Sequence, residues 1–251
     1  MSVHIEAVSV NHNTSAYMEL MLRSFLAYSP APLSYSLTLF DNASNDDTSA
    51  LDALAHQHRV SLIQSGWGLE TKGNSHGDIL RQFVLTYPGC SHYLFLDADV
   101  VFLAPQTIQT MLVELEHDAM AFGIGARMSW DGVSEIPKAI RESNPDICDA
   151  RLHPCCALVK NTPLFRTVVD VIGLACATLH GADRDEFLDT FKLMTRVMQT
   201  HGLRHTLSSM MVQHFFCVSY DWDTAEVRLA KAQTRDRLLA KFRADEAERP
   251  S

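Results

Sequence analysis

Asp97-Ala98-Asp99 sets two carboxylates two residues apart, directly after the apolar run Tyr93-Leu94-Phe95-Leu96. On an extended chain, side chains at this spacing share a face, so both can reach one cation directly or through a bound water. Carboxylates are hard oxygen ligands suited to Mg²⁺ or Mn²⁺, ions that commonly bridge to substrate phosphates. The same spacing also describes a solvated turn. The buried strand before it and Val100-Val101-Phe102-Leu103 after it favour the metal.

The elements that must carry this pair alternate between strand and helix signals. Residues 5–10, 35–40, 59–64 and 92–96 are short, apolar and rich in β-branched or aromatic types, and read as four strands. Between them, residues 15–28, 48–57 and 75–87 read as helices, with Pro30, Pro32 and Pro88-Gly89 as breaks. Helices between strands imply a parallel sheet with right-handed crossovers, whose ligands sit beyond the carboxyl ends of the strands. Asp41, the loop at residues 66–73 and Asp97 all fall at such ends. The second half is less regular. Residues 107–117 read as a helix, 119–124 as a strand, 129–149 as a mobile polar loop and 152–160 as a strand. Helices are expected at 162–179, 185–200 and 225–244, and extended segments at 203–207 and 210–218.

The chain has 251 residues, 47% hydrophobic and 20% charged, enough for one large α/β domain with a real core. Its formal net charge of −9 argues against a nucleic-acid partner, which needs a basic footprint, but leaves room for a phosphate-bearing ligand neutralised by a metal. The six cysteines form no CxxC pair and read as reduced, mostly buried thiols. No transmembrane segment and no targeting segment is expected, so the expected location is cytoplasmic. Homodimerisation is a further expected partnership.

Three segments, taken together, resemble family 2-like glycosyltransferases of the GT-A type. Val8-Ser9-Val10-Asn11-His12-Asn13-Thr14 resembles their first strand and nucleotide-contacting turn. Phe40-Asp41-Asn42-Ala43-Ser44-Asn45-Asp46-Asp47-Thr48 resembles their second-strand turn, and Tyr93 to Val101 their metal-site strand. Order and spacing agree over about the first half of the chain. The resemblance implies a Rossmann-like single α/β domain with a mostly parallel central sheet flanked by helices. Residues 1–104 would bind the nucleotide sugar, 105–222 the acceptor, and 223–251 form a C-terminal helix and tail.

The resemblance also implies roles. Asp41 would meet the nucleobase, where a carboxylate can accept an N–H from a uracil- or guanine-like edge. The competing role for Asp41 is a turn or cap. Asn11 and Asn13 would line the nucleotide pocket. Asn74 and His76, at the start of a helix in Gly73-Asn74-Ser75-His76-Gly77-Asp78, would contact nucleotide and sugar, with Asp97 at the diphosphate. The segment departs from the commoner pattern by having His76-Gly77, which leaves the donor sugar open. A late histidine, His214, would join Asp97 and Asp99 as a metal ligand and favour manganese. The competing role for His214 is a core histidine, and His153, His201 and His205 are alternatives. An inverting transfer needs a base for the acceptor hydroxyl. Asp189 is the first choice and Glu186 the second, with Asp131 and Glu135 behind them. Arg151 and His153 would lie under the acceptor.

The implied activity is metal-dependent transfer of a sugar from a nucleotide-diphosphate donor to a hydroxyl-bearing acceptor. A sugar-phosphate nucleotidyltransferase is the alternative enzyme, although Asn11 to Ser15 lacks the Gly-rich loop such enzymes carry. A non-catalytic nucleotide-sugar-binding relative is the third reading.

Overall fold

A computed structural model describes residues 3–28, 33–66, 75–181, 184–220 and 222–248. An eight-stranded sheet forms the centre, flanked by helices. Its first four strands, β1 (His4–Asn11), β2 (Ser34–Asp41), β3 (Ser61–Gln64) and β4 (His92–Asp97), lie parallel in the order β3-β2-β1-β4. The order continues through β7 (Cys156–Lys160), β6 (Ala121–Ser129), β10 (Arg204–His214) and β5 (Val100–Phe102). Strand β7 is antiparallel to both neighbours, β6 and β10 are parallel, and β5 is antiparallel to β10. A small hairpin, β8 (Ala177–Leu179) with β9 (Glu186–Leu188), stands apart.

The connection from β4 to β5 forces the sheet to curl. Three strands separate them, which at about 4.8 Å per strand is roughly 19 Å in a flat sheet. Only Ala98 and Asp99 join them, and the step from Asp97 to Val100 spans at most about 11 Å. The sheet therefore bends back until β5 and β10 approach the end of β4.

Alternation along the strands fills two cores. Leu94 and Leu96 of β4 pack with Met18, Met21 and Phe25 of α1 (Ser15–Tyr28), Leu51 and Leu54 of α2 (Ser49–Gln57), and Met111 and Leu115 of α4 (Thr107–His117). Tyr93 and Phe95 face the other way, onto Phe83 of α3 (Ser75–Thr86), Phe165 and Val169 of α6 (Pro163–Ile172), and Met194 and Met198 of α7 (Lys192–Thr200). A sheet buried on both faces explains the unbroken apolar run before Asp97. Helix α8 (Ala225–Ala247) covers α1 through Leu239 and Phe242, and Arg243 reaches the buried carboxylate of Glu19.

Four expectations need correction. Residues 129–149 are folded: Ile136 and Cys148 are buried, and α5 (Lys138–Ser143) lies among ion pairs linking Arg127, Glu135, Arg141 and Asp149. Polar composition misled because those charges pair with one another. The helix expected through residue 179 ends at Ile172, where Gly173 takes φ 83°. The helix expected from 185 starts at Lys192, because residues 186–188 pair with β8. The two late extended segments are one strand, β10, with an irregularity between Leu207 and Met211.

All six cysteines are free, and burial pushes the Cys156 thiol up to about 12. Burial also lowers the pKa values of His92 and His205, against the opposing influence of Glu116 and the Cys148 carbonyl respectively. Both imidazoles stay neutral in the folded state at pH values where the unfolded chain is already protonated. Stability is therefore expected to fall as pH drops below about 6.5, by at most about 1.4 kcal/mol per pH unit for each histidine. Denaturant titrations from pH 7.5 to 5.5 check this, and replacing His92 with Gln should flatten the slope.

Candidate metal and nucleotide site

Strand register assembles the rim before any side chain is considered. Asn11 pairs with Asp41, and Val10 pairs with Asp97, so the ends of β1, β2 and β4 lie side by side. The amide of Asp97 is held by the carbonyl of Cys155 at 3.0 Å. Asp97 closes the strand, and Ala98-Asp99 turns away from it. The two carboxylates thus converge through a turn, whereas two positions on one continuous strand were expected. Asp99 accepts the Phe215 N–H on its carbonyl at 3.2 Å, which fixes the end of β10 against the turn.

That contact delivers His214. Its Nε2 lies 3.1 Å from Asp99 Oδ1 and 3.5 Å from Asp97 Oδ2, and one ligand atom from each of the three residues falls within 4.8 Å of the others. An ion with bonds of about 2.1 Å has ligand edges of about 3 Å, close to these two spacings from His214. Two hard carboxylates and one imidazole suit Mn²⁺. His214 and Asp99 are buried and Asp97 is partly open, giving the ion one route in. The ring of Phe216 lies on His214 with centroids 3.9 Å apart. His214 Nδ1 is buried without a hydrogen-bond partner, which leaves Nε2 as the nitrogen aimed at the carboxylates.

Charge balance fits a cation. Burial raises the Asp97 pKa; His214 and His76 oppose this, and Asp99 reinforces it. Burial alone would lower His214, but Asp99, by charge and hydrogen bond, and then Asp97 outweigh it, so the pKa is raised. The two carboxylates thus need a positive partner, which the His214 proton supplies here and a divalent ion bound in its place would supply more strongly.

Two more histidines border Asp97. His76 Nε2 is 3.8 Å from Oδ1, and His153 Nδ1 is 4.0 Å from Oδ2. His153 accepts the Cys155 N–H at 3.1 Å, which assigns its proton to Nε2. Burial, followed by Arg151, His214 and His76, holds its pKa well below the ordinary value. The His76-Gly77 pair has a packing reason: a Cβ at Gly77 would sit 2.2 Å from the Ala175 Cα. Only glycine lets α3 approach that backbone and bring His76 to the rim. Asn74 lies outside the described residues, as does most of the expected loop at 66–73.

The other expected residues divide into frame and surface. Asn11 is fully buried and fully used. Its Nδ2 donates to Ser15, Asp41 and Ser44, and its Oδ1 accepts from Thr14. It shapes the turn and presents no free edge. Among the described residues, the bond from Asn11 at 3.0 Å is Asp41's one side-chain hydrogen bond. Asn13 is exposed at φ 56° and accepts the Asn45 N–H at 2.7 Å. Asp46, unassigned from sequence, caps α1 by accepting Ser15 N–H and Oγ–H at 2.8 and 2.9 Å. Its place in a run of capping residues was visible, but not which helix it would cap.

Asp189 and Glu186 part company. Asp189 precedes α7 and accepts from Arg151 Nη2 at 2.7 Å and from the Thr190 N–H. Arg151 is buried, gives its remaining donors to the Asp146 and Thr190 carbonyls, and lies close enough to Asp97 to lower that group's pKa. Glu186 instead grips Arg196 with both oxygens, with Lys192 3.6 Å away, and hydrogen bonding to Arg196 lowers its pKa. Both carboxylates are ion-paired, and what separates them is place, since the partner of Asp189, Arg151, has its charge in reach of Asp97.

No protein-family model matches the sequence, and no curated protein matches it. Solved structures do match. A Pyrobaculum calidifontis mannosyltransferase in complex with GDP-Man and Mn²⁺ superposes with TM-score 0.59 at 15% identity, over 100% of this chain and 66% of its own. S. aureus TarS residues 1–349 gives 0.56 at 14% identity, over 96% and 70%. M. tuberculosis glucosyl-3-phosphoglycerate synthase in complex with Mn²⁺ and UDP-Glc gives 0.54 at 13%, over 96% and 79%. This chain spans just under two thirds of the mannosyltransferase's length. The fold is the GT-A fold of these glycosyltransferases, as the sequence resemblance implied. Among the described residues, no helix is long and apolar enough to cross a membrane. Nothing in these likenesses supports the expected homodimer.

Proposed function

We propose that the protein is a glycosyltransferase that moves a sugar from a nucleotide-diphosphate donor to a hydroxyl acceptor. The supporting observation is the Asp97–Asp99–His214 cluster at the carboxyl rim of a GT-A sheet. In this reading residues 1–104 form the donor half and 105–222 the acceptor half. Asp41 reads the base, with Asn11 and Asn13 shaping its turn. His76 and Asp97 face the diphosphate, and Asp97, Asp99 and His214 hold Mn²⁺ or Mg²⁺. When bound, the ion neutralises charge on the departing diphosphate.

Asp189 takes the acceptor proton, oriented by Arg151. The acceptor oxygen bonds to the anomeric carbon as that carbon's bond to the diphosphate breaks, and the nucleotide diphosphate leaves. Direct displacement inverts the anomeric centre, which proton NMR of the first-formed product reads. Incubation with Mn²⁺ and a panel of nucleotide sugars should release nucleotide diphosphate. Release of pyrophosphate would instead mark a nucleotidyltransferase, and binding without turnover a non-catalytic relative. In Asp189→Asn, kcat is expected to fall about 10²–10⁴-fold with donor KM little changed. Undiminished kcat would remove Asp189 as the base. A cytoplasmic location accords with the chain's free thiols.

A further inference from the structure

The loop after His214 ends on two exposed aromatic rings. Tyr220 and Trp222 stack with centroids 4.5 Å apart and planes within 12°, and they are 52% and 76% exposed. Parallel stacking hides the facing sides of the two rings and leaves their outer sides toward water, with Trp222 the more exposed. The loop that carries it is braced. Phe216 and Cys217 take left-handed φ values of 54° and 52°, and the Tyr220 N–H closes a turn onto the Cys217 carbonyl at 3.1 Å. From α8, Lys231 donates to the Phe216 carbonyl at 2.8 Å and pairs with Asp223. The position is specific too. Phe216 lies on His214 at the start of the loop. After burial, the carboxylates of Asp189 and Asp97 are the leading influences raising the Tyr220 pKa, so the phenol lies within range of both.

We propose that the Tyr220–Trp222 pair is the acceptor platform and that the acceptor is a pyranose glycoside. A pyranose presents a patch of C–H bonds on one face and hydroxyls around its edge. Laid on the outer face of the stack, its C–H patch covers one ring, backed by the other, while an edge hydroxyl reaches toward Asp189. Aromatic faces beside a few polar groups are the usual make-up of a site for such a molecule. The inference rests on the glycosyltransferase reading and narrows its acceptor.

Two measurements test it. Saturation-transfer NMR with methyl glucoside, methyl mannoside, maltose and cellobiose, run without donor or metal, should show ring C–H protons of at least one probe receiving saturation. That signal should vanish in Trp222→Ala and return in Trp222→Phe. In turnover assays with the responding probe, Trp222→Ala should raise acceptor KM at least about tenfold, the scale of a lost stacking contact, and Trp222→Phe should recover most of it. Absence of saturation transfer from every probe, an unmoved acceptor KM, or a rise in donor KM in its place would overturn the platform. If no nucleotide sugar binds or turns over, the glycosyltransferase reading fails, and the NMR arm still judges the platform separately.

Discussion

In Asp99→Ala, Mn²⁺ affinity is expected to fall by more than about 100-fold, beyond the loss seen when only an outer partner of a ligand is removed. Metal-dependent binding of a nucleotide diphosphate should fall with it. Asp99 lies nearer His214 than Asp97 does, 3.1 against 3.5 Å, and its backbone carbonyl still anchors Phe215 in the variant. The side chain can therefore be removed without releasing β10. Asp97→Asn separates metal loss from misfolding. Burial and Asp99 both penalise the Asp97 carboxylate when no cation is present, so a neutral isostere relieves that penalty. The metal-free variant should melt no lower than the parent while binding Mn²⁺ poorly. Calorimetric titration and thermal denaturation of both variants give the answer, and undiminished Mn²⁺ affinity in either would remove the metal site.

Arg151→Met is expected to cost about 1–3 kcal/mol of stability, the scale for leaving buried hydrogen-bond acceptors unpaired, since water can reach the half-exposed Asp189. The guanidinium is buried and serves three acceptors on two segments: Asp146 on one, the adjacent Asp189 and Thr190 on the other. Arg151→Lys should recover only part of this, since an ammonium cannot span the three with a planar fork. The two variants also report on Asp189, which loses the group that orients it. A kcat loss in Arg151→Lys larger than its stability loss explains would place Arg151 as a positioning residue. Urea denaturation and steady-state kinetics on the same samples separate the effects, and a stability change below about 1 kcal/mol in Arg151→Met would refute the account.

The first half of the chain was legible because its signals are local. A β-branched run, a turn of capping residues and a helix repeat every few tens of residues, and parallel register then aligns Asn11, Asp41 and Asp97 automatically. The second half depends on long-range pairing. Residues 186–188 became a strand only because Ala177–Leu179 was there to pair with, and Gly173 stopped α6 at Ile172, seven residues before the expected boundary. Asp97 and Asp99 were found for a reason that proved incomplete, since a turn, not strand alternation, unites them. Asn11 was expected to contact the nucleotide, yet its whole hydrogen-bonding capacity goes to the turn, a distinction composition cannot make. The stacked Tyr220 and Trp222 passed unnoticed because nothing in their sequence neighbourhood separates a platform from a loop.

The reversed strand β7 has a consequence for how such a catalyst diversifies. Running against its neighbours, it starts where they finish, so the segment leading into it, Arg151 to Cys155, arrives at the rim from the opposite direction. The rim thus receives chain from both ends of the β4–β7 pair. Insertions or exchanges upstream of Arg151 can reshape one wall of the rim while the Val10–Asp97 register, and with it the Asp97–Asp99–His214 cluster, stays put. A change in that wall is thereby mechanically uncoupled from the carboxylate–histidine cluster beside it.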